Sequence, residues 1–202
     1  MLLLRVELPN VPGSLGRLAS AIGAAGGDIE AIEIVEKRHD GTDVDDVLLD
    51  MVDGAMPDSV VSACNQVEGV RVLWISRYLA GGGLFPDLEV VESLTQQPET
   101  AVDRLVEVLP VAFRCEWAAR VLGTPDGFEI EHASEGAPTV LDLKPGKGLD
   151  RQVIGDDLVA VAPAGHRKVV VIGRRGGPEF LDSELARLGH LVGLAASIAR
   201  RR

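Results

Sequence analysis

The chain alternates between two hydrophobic rhythms, and the changes of rhythm mark its elements. LLLRVEL, residues 2–8, has a period of two: Leu4, Val6 and Leu8 fall on one face, Arg5 and Glu7 on the other. That is the pattern of a half-buried strand. From Ser14 the rhythm becomes helical, with Leu15, Leu18, Ile22 and Ala25 in one stripe and Ser14 placed to cap the helix. Gly26-Gly27 stops it. DIEAIEIVEKR and TDVDDVLLDMV then read as a hairpin around Asp40-Gly41, a strong turn dipeptide. Pro57 opens a second helix with Val60, Cys64 and Val67 inward, Gly69 ends it, and VRVLWISRY closes the segment as a strand.

Residues 79–97 change composition. Gly81-Gly82-Gly83, Pro86 and Gln96-Gln97 read as a linker, with a short ordered piece over 88–94. Residues 98–202 begin with a helical stripe of Val102, Leu105, Val106 and Leu109. Strand-like runs follow at CEWAARVL, GFEIEHA, TVLDL, DLVAVAPA and KVVVIGRR. A final helix starts near Asp182 and turns Leu185, Leu188, Val192, Ala195 and Ala199 inward. Helix, antiparallel strands, helix is an α+β order. The expected organisation is a domain at 1–78, a linker at 79–97 and a domain at 98–202.

The junction LPNVPGSLGRLA, residues 8–19, carries the first candidate chemistry. Pro12 fixes its own φ and Gly13 lets backbone come close to whatever lies there. The helix that follows begins with N–H groups lacking intrahelical acceptors, and its dipole favours an anion. A tight structural turn and an anion site both explain the sequence. A carboxylate held there, with further contacts, fits micromolar to millimolar binding, about 4–8 kcal/mol. Asp28, at the start of the second strand, supplies a carboxylate for the ammonium of an α-amino acid if a neighbouring copy brings it to the junction.

Residues 1–78 resemble an ACT domain through Leu8-Pro9-Asn10-Val11-Pro12-Gly13-Ser14-Leu15, Leu18, Ile22 and Gly26-Gly27-Asp28-Ile29. The resemblance implies a ferredoxin-like βαββαβ fold and a regulatory ligand, most often an amino acid, bound where domains pair. It implies ligand-binding roles for Asn10, Val11, Pro12, Gly13, Ser14, Leu15, Asp28 and Ile29. Two positions depart from the family pattern: Asn10 stands where Asp is usual, and Asp28 where Asn is frequent. The negative Asp28 favours an ammonium and disfavours a dicarboxylate. Exposed edge strands of a four-stranded sheet add a reason to pair.

Residues 98–202 resemble a GAF domain, most clearly over DDLVAVAPAGHRKVVVIGRRGGPEFLDSELARLGHLVGLAASIARR. The cyclic-nucleotide signature is missing, since Phe180 and Asp182 have the wrong spacing for its end. The resemblance implies an antiparallel sheet flanked by helices in a module that binds a small molecule or dimerises; with that signature missing and few aromatics, no ligand is assigned and a structural role is expected.

Composition narrows the partners. Of 202 residues, 46% are hydrophobic and only 3% aromatic, so the core is built of Val, Leu, Ile and Ala. A net charge of −11 argues against nucleic acid, which needs a basic face; the locally basic last stretch, with Arg174, Arg175, Arg187 and Arg200–Arg202, reads as a solvated helix end and tail. Cys64 and Cys115 have no metal or disulfide spacing, which suits a reducing cytosol. The first residues do not read as a signal peptide and no run reaches membrane-spanning length, so no membrane partner is expected.

No catalytic pattern emerges. His39, His132, His166 and His190 are scattered. KPGKG at 144–148 and GRRGG at 173–177 lack nucleotide-loop order and read as loops, and there is no G-x-S-x-G. Asp43, Asp45, Asp46 and Asp50 lack calcium-loop spacing and read as a solvated strand face. Trp74 and Trp117 read as packing residues. The expected protein is a cytoplasmic, non-enzymatic regulator without cofactor or metal. It binds an amino acid or similar small acid, pairs as a homodimer or higher homo-oligomer, and signals to a separate effector protein. A purely structural dimerisation protein is the alternative.

Overall fold

The computed structural model describes residues 1–77, 86–125, 127–146 and 148–200, and for 86–89 the backbone alone. Tyr78, residues 79–85 of the expected linker, Asp126, Lys147 and the terminal Arg201–Arg202 lie outside the described residues. The chain divides into two compact units, Met1–Gly81 and Gly82–Arg202. Both are mixed α/β, each built on an antiparallel sheet.

In the first unit, β1 (Leu2–Pro9), α1 (Ser14–Ala24), β2 (Gly27–Lys37), β3 (Thr42–Met51), α2 (Pro57–Asn65) and β4 (Arg71–Arg77) follow in order. The sheet order is β2-β3-β1-β4, so β3 is inserted between β1 and β2. Leu2, Leu4, Val6 and Leu8 face the helices and pack with Leu18, Ile22, Val60, Cys64, Val47 and Leu49. The other side of β1 holds Arg5, whose guanidinium donates to Asp46 at 2.7 and 2.9 Å. Glu7 takes Arg71 at 3.0 Å and pairs with Arg38.

Three local expectations change. Gly13, not Ser14, is the N-cap, and no side chain caps α1. Leu15 is exposed rather than part of the inward stripe. Asp43, Asp45 and Asp46 are buried, not solvated. Asp46 is paired with Arg5, while Asp43 and Asp45 point to the side of β3 that shares a face with Leu8 and Val6.

The second unit contains α3 (Pro86–Gln96), a 3-10 turn (Pro98–Thr100), α4 (Ala101–Phe113), β5 (Trp117–Thr124), β6 (Gly127–Ala133), β7 (Asp150–Ile154), β8 (Asp157–Gly165), β9 (Lys168–Arg175) and α5 (Asp182–Arg200). The sheet order is β6-β5-β9-β8-β7. One face meets α3, α4 and α5 through Ala118, Ala160, Ala162, Val170 and Ile172. On the opposite face the β6–β7 connection inserts Leu141 and Leu143 against Trp117, Val121, Val159 and Val171.

Within the expected linker, the ordered piece expected over 88–94 is a helix over 86–96 that buries Val90 and Leu94 in the α4–α5 core. TVLDL supplies buried leucines without joining the sheet, and β7 forms at 150–154, where no strand was expected.

Arg174, expected in a solvated basic stretch, is instead 2% exposed and ties three elements together, because its charge is met inside the fold. It donates to the Phe113 carbonyl (2.8 Å), the Pro178 carbonyl (3.0 Å) and Glu184 (3.1 Å), and its guanidinium lies 4.1 Å from the Phe180 ring. Glu184 also accepts the Leu181 N–H at 2.8 Å, at the start of α5. Arg174→Met removes the buried counter-charge of Glu184 and the donor to the Phe113, Arg114 and Pro178 carbonyls. The expected loss is about 3–5 kcal/mol, the usual result of breaking a buried pair, read as a lowered urea midpoint.

Candidate functional site

The β1–α1 junction follows from how each end is tied. Asn10 N–H donates to the Gly41 carbonyl at 2.8 Å and Val11 N–H to Pro9 at 2.9 Å, which turns the chain off the sheet. Gly13 adopts φ +89, a left-handed conformation that glycine reaches without penalty. A Cβ there would meet Arg17 Nη1 only at 3.5 Å, so backbone angle rather than crowding selects glycine. Gly69, itself at φ +77, packs under Pro9 so tightly that a Cβ would lie 2.6 Å from the ring.

The Ser14 N–H donates to the Val11 carbonyl at 3.2 Å and is therefore taken. The N–H groups of Gly13, Leu15 and Gly16 have no acceptor among the described residues. Asn10, Val11, Pro12 and Leu15 are exposed around them, which leaves Val11 and Leu15 as an apolar rim.

Sequence reasoning missed Arg17. Its Nη2 donates to Ser14 Oγ at 3.0 Å, which brings the guanidinium back over the first turn. Charge and free amides thus act on one spot. The i, i+3 spacing of Ser14 and Arg17 on a helix was the available signal.

The remaining predicted residues do not join this group within one chain. Ser14 is buried, and its hydroxyl is engaged by Arg17. Ile29 packs against the core. Asp28 is exposed and stands opposite Asp50, at the Leu2–Leu49 end of the sheet, whereas the junction leaves from the Pro9–Thr42 end. Seven strand residues separate these levels, about 23 Å.

Asp43 and Asp45 shape the electrostatics on the helix-covered side of β3. Each has a buried carboxylate oxygen without a hydrogen-bond partner among the described residues. Burial, then the charges of Asp43 and Asp46, push the Asp45 carboxyl up to about 6, against an opposing pull from Lys37. Burial also pushes the Cys64 thiol up to about 11 and the Cys115 thiol to about 12, so neither is a nucleophile at neutral pH.

A cleft of about 550 Å³ opens in the second unit between residues 143–146 with Gly148, the β5–β6 turn and the β8–β9 turn. Lys144, Pro145, Gly146 and Gly148, read from the sequence as part of a loop, line it. Among the described residues, no group of three or more His, Cys, Asp or Glu is arranged for a metal ion, and no helix is long and apolar enough to cross a membrane.

No family model matches the chain. Over 74 residues it is 35% identical to NAD-dependent malic enzyme 1 of Bacillus subtilis (strain 168), a match covering 36% of this chain and 17% of that enzyme. The chain thus spans less than a fifth of its curated relative. Among solved structures, it is similar to the GAF domain of an Acinetobacter phosphoenolpyruvate-protein phosphotransferase, with a TM-score of 0.41 and 11% identity over 55% of this chain and 91% of that one. It is also similar to an unknown protein from Galdieria sulphuraria, with a TM-score of 0.33 and 10% identity over 98% and 89% of the two chains.

Proposed function

We propose that the chain is a non-enzymatic regulatory protein whose first unit, an ACT-like ferredoxin-like domain, binds an amino acid or similar small carboxylic acid at the β1–α1 junction. The observation that carries this reading is the unengaged N–H groups of Gly13, Leu15 and Gly16 beneath exposed Val11 and Leu15, with the Arg17 guanidinium beside them. Backbone donors at a positive helix end suit a carboxylate, and the apolar rim suits an aliphatic side chain. The split β-α-β order, with β3 between β1 and β2, fits the same family reading.

Asp28 enters only from a second copy, because within one chain it lies at the far end of the sheet. A homodimer that brings Asp28 to the partner's junction pairs the ligand's ammonium with a carboxylate. Binding then favours that pairing by its differential affinity, and the change passes to a separate effector. The second unit, read as GAF-like, serves as the receiving or assembling module. The protein works without a cofactor, in the cytoplasm.

Thermal shift against the twenty amino acids tests this. One or two of them are expected to raise Tm by several degrees. Gly13→Trp is expected to abolish the effect, since it places bulk and backbone strain at the site. Arg17→Gln, which leaves the turn intact, should weaken the response several-fold. A response unchanged by both substitutions removes the junction from the account.

One observation favours a structural scaffold instead: Ser14 N–H and Ile29 are already consumed by the fold. Silence across the whole panel with an intact dimer supports that reading.

A further inference from the structure

We propose that the cleft at the turn end of the five-stranded sheet binds a small organic anion, an apolar body carrying one carboxylate or phosphate group. The proposal is independent of the junction. The cleft, about 550 Å³, has the size of small-molecule sites. The middle of this sheet face is filled by the protein's own Leu141, Trp117 and Val159. The open space is therefore displaced toward the turns, over a floor of Phe128, Leu143, Val161 and Val169.

The charges at its rim are unbalanced. Lys144 and Arg167 line the cleft, and their side chains have no hydrogen-bond or ion-pair partner among the described residues. The third cation there, Lys168, is paired with Glu131 at 2.8 Å. Asp150 is the acidic residue among the described lining residues, and both its oxygens are engaged: Oδ1 accepts the Arg151 N–H at 2.9 Å and Oδ2 accepts Gln152 Nε2 at 2.9 Å. Two unpaired cations above an apolar floor stand out in a chain of net charge −11, and they attract an anion with an apolar body.

Both cations sit on fixed backbone. Gln152 clamps Lys144 from two directions, accepting its N–H at 2.8 Å and donating to its carbonyl at 2.9 Å. Arg167 is held in the left-handed region at φ +59, and its carbonyl accepts the Gly123 N–H at 2.7 Å. Such ties lower the ordering cost of binding. A Cβ at Gly127, Gly148 or Gly165 would meet nothing within 4 Å. These three glycines face open space, whereas a Cβ at Gly146 would come within 3.3 Å of Asp150.

The test is a two-dimensional amide NMR titration of the full chain with indole-3-acetate, phenyl phosphate and neutral indole-3-acetamide. One or both anions are expected to shift the amides of Gly123, Gly127, Gly148 and Gly165 saturably, and the acetamide is not. The responding probe distinguishes a carboxylate from a phosphate head group. Lys144→Gln combined with Arg167→Asn, where asparagine tolerates φ > 0, should weaken binding about tenfold or more while other amides stay in place. No saturable shift up to about 10 mM anion, equal binding of the acetamide, or an unchanged affinity in the double variant overturns the proposal. Shifts at Leu15 and Gly16 report the junction separately, so either site can fail alone.

Discussion

Asp45→Asn should make the protein more stable at pH 8 by about 2–3 kcal/mol and leave it nearly unchanged at pH 4. Asp45 is 3% exposed on the helix-covered side of β3, beside Asp43 and Asp46, and its carboxyl is raised from 3.8 to about 6. The raised value means that the native state holds a proton the unfolded chain has released. Stability from this group is therefore full below the unfolded value and is lost as pH rises through the window from about 4 to 6. Above that window the fold carries a buried charge with an unpartnered oxygen. Lys37, opposite Asp43 on β2, opposes the effect. Urea unfolding of wild type and variant from pH 4 to 8 checks this. The difference between the two midpoints should open as pH rises. Parallel pH profiles would show that Asp45 is ionised in the native state at no cost.

Gly173→Ala should lower stability by about 3 kcal/mol, far more than a methyl group ordinarily costs. Gly173 lies on β9 directly against the ring of Trp117 on β5, its Cα partner. A Cβ there would fall 2.0, 2.2 and 2.4 Å from three ring atoms of a side chain with 0% exposure. The indole cannot yield easily. Its Nε1–H donates to Asp157 at 2.9 Å, and Asp157 is held in turn by Arg175 at 2.9 Å. Hydrogen bonds from Arg175 and Trp117 outweigh partial burial and hold the Asp157 carboxyl below its usual value. Displacing the ring breaks this chain as well as the packing. Gly193→Ala, in α5 where a Cβ meets nothing, is the control and should be neutral or stabilising by about 0.5–1 kcal/mol. Equal denaturation midpoints for the two variants would contradict the packing argument.

Much of the frame was legible because single residues announce turns and caps. Gly41 closes the β2–β3 hairpin at φ +85, Pro57 opens α2, and α5 begins at Asp182 with its leucine stripe inward. The misreadings have physical causes. Asp43 and Asp45 lie on the apolar face of their strand by alternation, yet charge suggested solvent; the fold buries both, and burial raises the Asp45 carboxyl. TVLDL alternates like a strand because Leu141 and Leu143 are buried, but they pack onto a sheet face and not into a ladder. DRQVI hides as a strand because β7 is an edge, with Val153 69% exposed and little apolar signal. Inside the expected linker, Leu88, Val91 and Leu94 repeat at helical spacing, and Val90 and Leu94 are the residues α3 buries.

At the candidate site, the sequence marked the turn but not its occupancy. Pro12-Gly13 was visible; that Ser14 gives up its N–H to Val11 and its hydroxyl to Arg17 was not. The cleft in the second unit was invisible for a different reason. Its lining comes from two turns and a loop that are distant in sequence and converge only once the sheet order β6-β5-β9-β8-β7 is formed.

The backbone amides of Leu15 and Gly16, followed by NMR while each of the twenty amino acids is added in turn, test the regulatory reading most directly. At least one amino acid should move both signals in a saturable way, and Gly13→Trp should remove the response. If neither amide moves with any of them at millimolar concentration, the first unit is not an amino-acid sensor.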